Sequence, residues 1–233
     1  MGKKHIVIFS GAGVSAESGL KTFRDNDGLW ENYSVEDVAT PQAWAKNKAL
    51  VLDFYNMRRK QLLETQPNAA HHFIKDLEQQ YKVSVVTQNI DNLHERADSS
   101  NVLHLHGELM KVKSEHFNEL VYSWEKPELK LGDLCEKGTQ LRPFVVWFGE
   151  EVPAMEKAVT ILSKADILVV IGTSLNVYPA ANLIRFAPSY SERFLIDPSP
   201  PTNSDSLGFT VIQANATEGM KILTEKLLQR KNS

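Results

Sequence analysis

The chain has 233 residues, a net charge of −3, 42% hydrophobic and 24% charged residues, enough for one full-sized soluble domain and a small inserted module. That balance excludes a general attraction to nucleic acid or an anionic membrane, and no apolar run approaches the ~20 residues of a membrane span. The single cysteine, Cys135, excludes a disulfide within the chain, so a reducing, cytoplasmic setting is expected.

The first apolar run, residues 5–10, leads straight into a glycine loop and reads as a core strand rather than a leader peptide. Further strands are predicted over 83–87, 102–105, 144–148, 167–172, 193–197 and 210–213. Helix-like stretches lie between them at 68–80, 154–164 and 180–186, and an amphipathic helix over 217–230 closes the chain. Near-continuous apolar strands between helices predict an α/β fold around a mostly parallel sheet. Two stretches break the rhythm. Residues 28–67 are mainly helical, with an aromatic helix over 50–64, and residues 107–141 are polar, lysine-rich and weakly patterned. Both read as insertions forming a small second domain, with residues 1–27, 68–106 and 142–233 as the larger one and a cleft between them.

Gly11-Ala12-Gly13-Val14-Ser15-Ala16 directly follows the first strand. Glycines there permit a tight turn, and the start of the next helix offers free N–H groups to a pyrophosphate. A ligand-free turn is the competing reading, since the motif alone is weak. A dehydrogenase would continue with a strand ending in an acidic residue, whereas this chain continues with a polar, aromatic loop over 21–30. Gln88, Asn89 and Asp91 end the next predicted strand, where ligands bind. Asn89 and Asp91 can grip a carboxamide or, equally, cap a helix. His104 and His106 share a strand face, and His106, at the strand end, is the better titrating base. Gly172-Thr173-Ser174 and Asp197 follow later strands and suit phosphate or ribose hydroxyls, a plain turn being the alternative for each.

Together these residues resemble the sirtuin family of NAD-dependent protein-lysine deacylases. The matching segments are residues 11–20, Thr22-Phe23-Arg24, Gly28-Leu29-Trp30, residues 87–94, His106-Gly107, residues 141–150 and Gly172-Thr173-Ser174-Leu175, in family order over nearly the whole chain. The resemblance implies a Rossmann-type domain with a small inserted domain of helices and a ribbon. It implies NAD as a consumed co-substrate held by Gly11, Ala12, Gly13, Ser15, Ala16, Phe23, Arg24, Trp30, Gln88, Asn89, Asp91, His106, Gly172, Thr173, Ser174, Asp197 and Ala216. It implies His106 as general base, with Asn89 and Asp91 beside it. It also implies that Val146, Trp147, Phe148 and Gly149, with Val177 and Tyr178, pair with an extended substrate peptide. An aromatic Phe23 suits shielding of the reacting ribose from water. The partners expected are acylated protein lysines as substrates, with no nucleic acid or membrane, and the chain itself is expected to be a monomer.

Tyr55 and Arg58 are i and i+3 on the aromatic helix and share a face. A phenol and a guanidinium together bind a terminal carboxylate. The competing reading is a core tyrosine beside solvated arginines. The pair resembles that of the desuccinylase-type branch, which implies a preference for succinyl or other acidic acyl groups. The chain departs from the family where four zinc-binding cysteines are usual, holding only Cys135 in 107–141, with Glu115, His116 and Asp133 nearby in no ligand pattern. No zinc is expected, and Leu120, Val121, Tyr122 and Trp124 are the candidate apolar brace. A second departure is Asp197, where the family usually has asparagine. ADP-ribosyl transfer or NAD hydrolysis is the alternative chemistry, and a non-catalytic NAD sensor the alternative class.

Overall fold

The computed structural model describes residues 2–20, 33–173, 175, 179–200 and 208–229, and the backbone of Leu29–Trp30. In chain order the elements are β1 (His5–Ser10), α1 (Gly13–Ala16), β2 (Leu29–Trp30), β3 (Tyr33–Ser34), α2 (Val35–Val38), α3 (Pro41–Lys46), α4 (Lys48–Glu64) and α5 (Ala69–Asp76). There follow β4 (Lys82–Thr87), α6 (Leu93–Arg96), β5 (Val102–His104), β6 (Gly107–Ser114), β7 (Val121–Ser123), β8 (Leu141–Val145), α7 (Met155–Leu162) and β9 (Ile167–Ile171). A 3-10 segment (Ala180–Phe186), β10 (Glu192–Ile196), β11 (Thr210–Ile212) and α8 (Ala216–Gln229) complete them.

Six strands form one parallel sheet in the order β11-β10-β9-β1-β4-β5. The apolar runs explain it: every residue of β1 and β9 is buried, which only a sheet covered on both faces permits. One face packs on α5 and α8, the other on α7 and the 3-10 segment. The chain moves from β1 to β4 on one side and returns to β9 on the other. That reversal beside β1 opens a crevice at the carboxyl ends of the strands.

A second, antiparallel sheet has the order β7-β6-β8. The strand expected over 144–148 is found here as Leu141–Val145, outside the parallel sheet. Pro143 is tolerated because β8 is an edge strand. Residues 146–148 leave the strand because the Trp147 N–H turns to the Glu150 carboxylate at 2.7 Å. The strand β6 was not predicted, because the irregularity between Gly107 and Val112 disrupts its alternation.

This sheet, α3 and α4 enclose a third core that includes Trp44, Phe54, Tyr55, Leu109, Val112 and Trp147. Leu120, Tyr122 and Trp124 pack against it, but Val121 points outward, since neighbouring residues of a strand face opposite ways. Polar braces do the remaining work. The Asn56 amide donates to the Leu129 carbonyl at 2.9 Å and accepts from the Leu129 N–H at 2.8 Å. Arg59, fully buried, donates to the Leu109 carbonyl at 3.1 Å and to Asn56 Oδ1 at 2.9 Å. Gln140 Nε2 donates to the carbonyls of Lys130 and Leu141, and its Oε1 accepts from the Gly132 N–H. Glu115 accepts from Trp44 Nε1 and Lys48. No described helix is long and apolar enough to cross a membrane.

Candidate active site

A cleft of about 760 Å³ lies at the carboxyl ends of β1, β4 and β9 and runs under the second sheet. Its size suits a cofactor-sized ligand. The loop after β1 contributes Gly11, Ala12, Gly13, Ser15 and Ala16, and the loop after β4 contributes Gln88, Asn89 and Asp91. His106, Gly172, Thr173, Asp197 and Ala216 complete the sheet side, while Tyr55, Arg58, Val146, Trp147, Phe148 and Gly149 line the opposite side.

The floor is backbone against backbone. Gly13 N–H donates to the Gly172 carbonyl at 2.8 Å, and a Cβ on Gly13 would sit 2.7 Å from Gly172 Cα. Gly172 has φ +62°, and a Cβ there would meet Val14 N at 2.3 Å. The crossing of two loops therefore requires these glycines, independently of any ligand. The expectation of a helix start rich in free N–H groups needs correction. Gly13, Val14 and Ser15 already donate to Gly172, Gly11 and Ala12 carbonyls, and α1 is a single turn of four residues. The floor still fits a pyrophosphate, because no side chain rises from Gly11 or Gly13.

His106 Nδ1 lies 2.9 Å from the Gln88 carbonyl oxygen. A carbonyl only accepts, so Nδ1 carries the hydrogen, and in the neutral ring Nε2 keeps its lone pair. Burial holds the His106 pKa below the ordinary 6.5, so the neutral form prevails at neutral pH. Gln88 also donates from Nε2 to Thr173 Oγ1 at 3.0 Å, tying the two loops together.

Asn89 Nδ2 donates to Ser15 Oγ at 3.3 Å, and Ser15 donates to Asp91 Oδ2 at 3.1 Å. Asp91 Oδ1 accepts from the Leu93 N–H at 3.1 Å, so the carboxylate serves the α6 turn and the cleft together. Burial pushes the Asp91 pKa up. His104 stands behind this loop, 2.7 Å from the Asn89 carbonyl and 2.7 Å from Glu95. Burial alone would lower its pKa, but the Glu95 hydrogen bond and charge raise it overall. Asp197 accepts from the Ser199 N–H at 2.8 Å, which is the turn reading, and also borders the cleft.

A family model described as the Sir2 family matches residues 11–179. A protein of Bacteroides thetaiotaomicron called an NAD-dependent protein deacylase is 52% identical over 230 residues, covering 97% of this chain and 98% of its own. The chain belongs to the Sir2 family.

Among solved structures, a Sir2 homologue in complex with ADP-ribose is 37% identical with a TM-score of 0.90, over 99% of this sirtuin and 94% of that chain. A Sir2 homologue complexed with NAD is 38% identical with a TM-score of 0.88, over 98% and 91% of the two chains. The parallel sheet with a separate small antiparallel sheet is the Rossmann-like Sir2 fold with its inserted module. In this sirtuin Phe23, Arg24, Ser174, Val177, Tyr178 and the side chain of Trp30 lie outside the described residues.

Both arginines of α4 are buried, Arg58 at 8% exposure and Arg59 at none, which overturns the picture of solvated arginines. They part company: Arg59 braces the module, while Arg58 faces the cleft beside Tyr55. Burial pushes the Tyr55 phenol pKa up, so the hydroxyl keeps its hydrogen. In the segment expected to pair with peptide, the N–H groups of Val146, Trp147 and Phe148 already bond to His106, Glu150 and Ala39. The Trp147 side chain is buried and turned toward Tyr55. Sequence reading missed Leu62, Ile90 and Leu109, apolar residues that also line the cleft. Their only signal was ordinary core periodicity. Among the described residues no three His, Cys, Asp or Glu gather as a metal site.

Proposed function

We propose that this sirtuin is an NAD-dependent protein-lysine deacylase that favours succinyl and other acidic acyl groups over acetyl. The observation that carries the reading is the sharing of one cleft by a neutral histidine base and a buried tyrosine–arginine pair. NAD, when bound, supplies a ribose carbon that becomes electrophilic as nicotinamide leaves. Gly11, Gly13 and Thr173 would hold the phosphates and Asp197 a ribose. Asn89 and Asp91, fixed by Ser15, would orient the nicotinamide end. His106 Nε2 is the acceptor for a ribose hydroxyl proton, and the Gln88 carbonyl steadies the imidazolium that results. Tyr55 and Arg58 offer hydrogen-bond donors to an acyl carboxylate, the guanidinium in a bidentate fork. Val146 to Gly149 border the place where the lysine-bearing peptide would lie.

Nicotinamide release measured with and without acyl-lysine peptide tests the chemistry. Release that depends on peptide is expected. Peptide-independent release would mean NAD hydrolysis, and no release a sensor.

A further inference from the structure

We infer that Trp147 is a specificity-determining residue that acts through Tyr55: its indole N–H caps the acceptor side of the Tyr55 hydroxyl and leaves the phenol as a hydrogen donor into the acyl end of the cleft. The inference rests on the acidic-acyl reading and deepens it.

The indole Nε1 donates to the Tyr55 hydroxyl oxygen at 3.1 Å. An indole nitrogen is a donor only, so the direction of this bond is fixed. A phenol has one hydrogen to give and lone pairs to accept with. With Trp147 on the acceptor side, the Tyr55 hydrogen is the group left to offer. Among the described residues none accepts it, and Tyr55 and Arg58 both border the cleft. The acyl end thus presents an O–H and a guanidinium, donors without a competing acceptor from this pair. An ionised carboxylate accepts only, and so matches it. An acetyl group has no terminal acceptor to use these donors.

The indole cannot swing away easily. The Arg142 guanidinium carbon lies 3.4 Å from the centre of the Trp147 ring. Glu150 holds that guanidinium by two hydrogen bonds, at 2.8 and 3.0 Å, and its Oε2 also accepts from the Trp147 N–H at 2.7 Å. Arg142 donates further to the Val145 carbonyl at 2.8 Å. Trp44 packs on the indole with ring centres 5.7 Å apart. One clamp therefore fixes backbone and ring together. Such charge-assisted, bidentate bonds are the strong and directional kind.

The test is a double-mutant cycle of Trp147→Phe and Tyr55→Phe. The readout is kcat/KM for succinyl-lysine and acetyl-lysine versions of one peptide, with melting curves for each variant. Each single change should lower the succinyl-to-acetyl ratio about tenfold, mainly through KM of the succinyl peptide, as loss of one hydrogen bond to a charged group implies. The double variant should lose no more than Tyr55→Phe alone, because Trp147 acts through that hydroxyl. Should Trp147→Phe lose its cooperative melting transition, Glu150→Gln replaces it in the cycle, with the same non-additivity expected. A selective wild type whose ratio survives these changes, or losses that add in the double variant, overturns the role of Trp147 alone. A wild type indifferent to the acyl carboxylate removes the acidic-acyl reading and this inference with it.

Discussion

At His106 one hydrogen bond settles the chemistry of the ring. Its Nδ1–H is committed to the Gln88 carbonyl, and burial keeps the ring neutral, so Nε2 is a base without further rearrangement. Removing it by His106→Ala should lower kcat about 10²–10⁴-fold while peptide and NAD still bind, as loss of a general base implies. The pKa shift gives the sign of the pH dependence. With His106 as the proposed base, activity would need the neutral ring, so kcat/KM should rise with pH along an acid limb centred below the ordinary 6.5. A limb at or above that value would contradict the buried, neutral assignment. The structure brings His106, Asn89, Asp91, Tyr55 and Arg58 to one cleft. Strand ends and helical spacing pointed to these positions, but for Tyr55 and Arg58 the family resemblance, not spacing, favoured a ligand over a core reading. The destination of Trp147 was not. Its contact with Tyr55 spans 92 positions, and no local pattern encodes a side chain turned inward by the neighbouring Glu150.

Among the elements, α5 and α6 carry a stability switch of simple origin. The buried rings of His71 and His94 stack edge to face with centres 4.9 Å apart, and Ser10 Oγ lies 3.0 Å from His94 Nε2. Burial lowers both pKa values, that of His71 to about 4. An unfolded histidine titrates near 6.5, so in this window the unfolded chain binds more protons. The stabilisation from neutral burial is full above 6.5 and is lost as pH falls toward 4. The melting temperature should fall across that range, and His71→Gln should flatten the fall; an unchanged slope would remove His71 from the account. The ribbon is held by other means. Asn56→Ala strips both backbone groups of Leu129 of their partner and should cost about 2 kcal/mol or more in urea unfolding. We expect purified protein to hold less than one zinc per chain and to melt alike with and without a chelator. The ribbon was the least legible part of the sequence, since the irregularity in β6 and the proline in β8 mask their strand patterns.

Across the whole molecule, a parallel sheet with a reversal beside β1 makes the crevice, and a polar-braced module roofs one end of it. The sheet was legible because buried parallel strands are written as continuous apolar runs, residues 6–9 of β1 and all five of β9 among them. The crossing of the loops at Gly13 and Gly172 was not, since 159 positions separate them and a glycine alone does not name what approaches it. The proposed division of labour follows from this architecture: the sheet side, with His106, Asn89 and Asp91, would hold NAD and the base, and the module side, with Tyr55 and Arg58, would read the acyl group. The most direct measurement compares kcat/KM on succinyl-lysine and acetyl-lysine forms of one peptide, for the wild type and for Arg58→Met. A succinyl preference of about tenfold or more, abolished by the substitution, is predicted from a bidentate charged hydrogen bond. Deacetylation that equals or exceeds desuccinylation, and that Arg58→Met leaves untouched, would contradict the account.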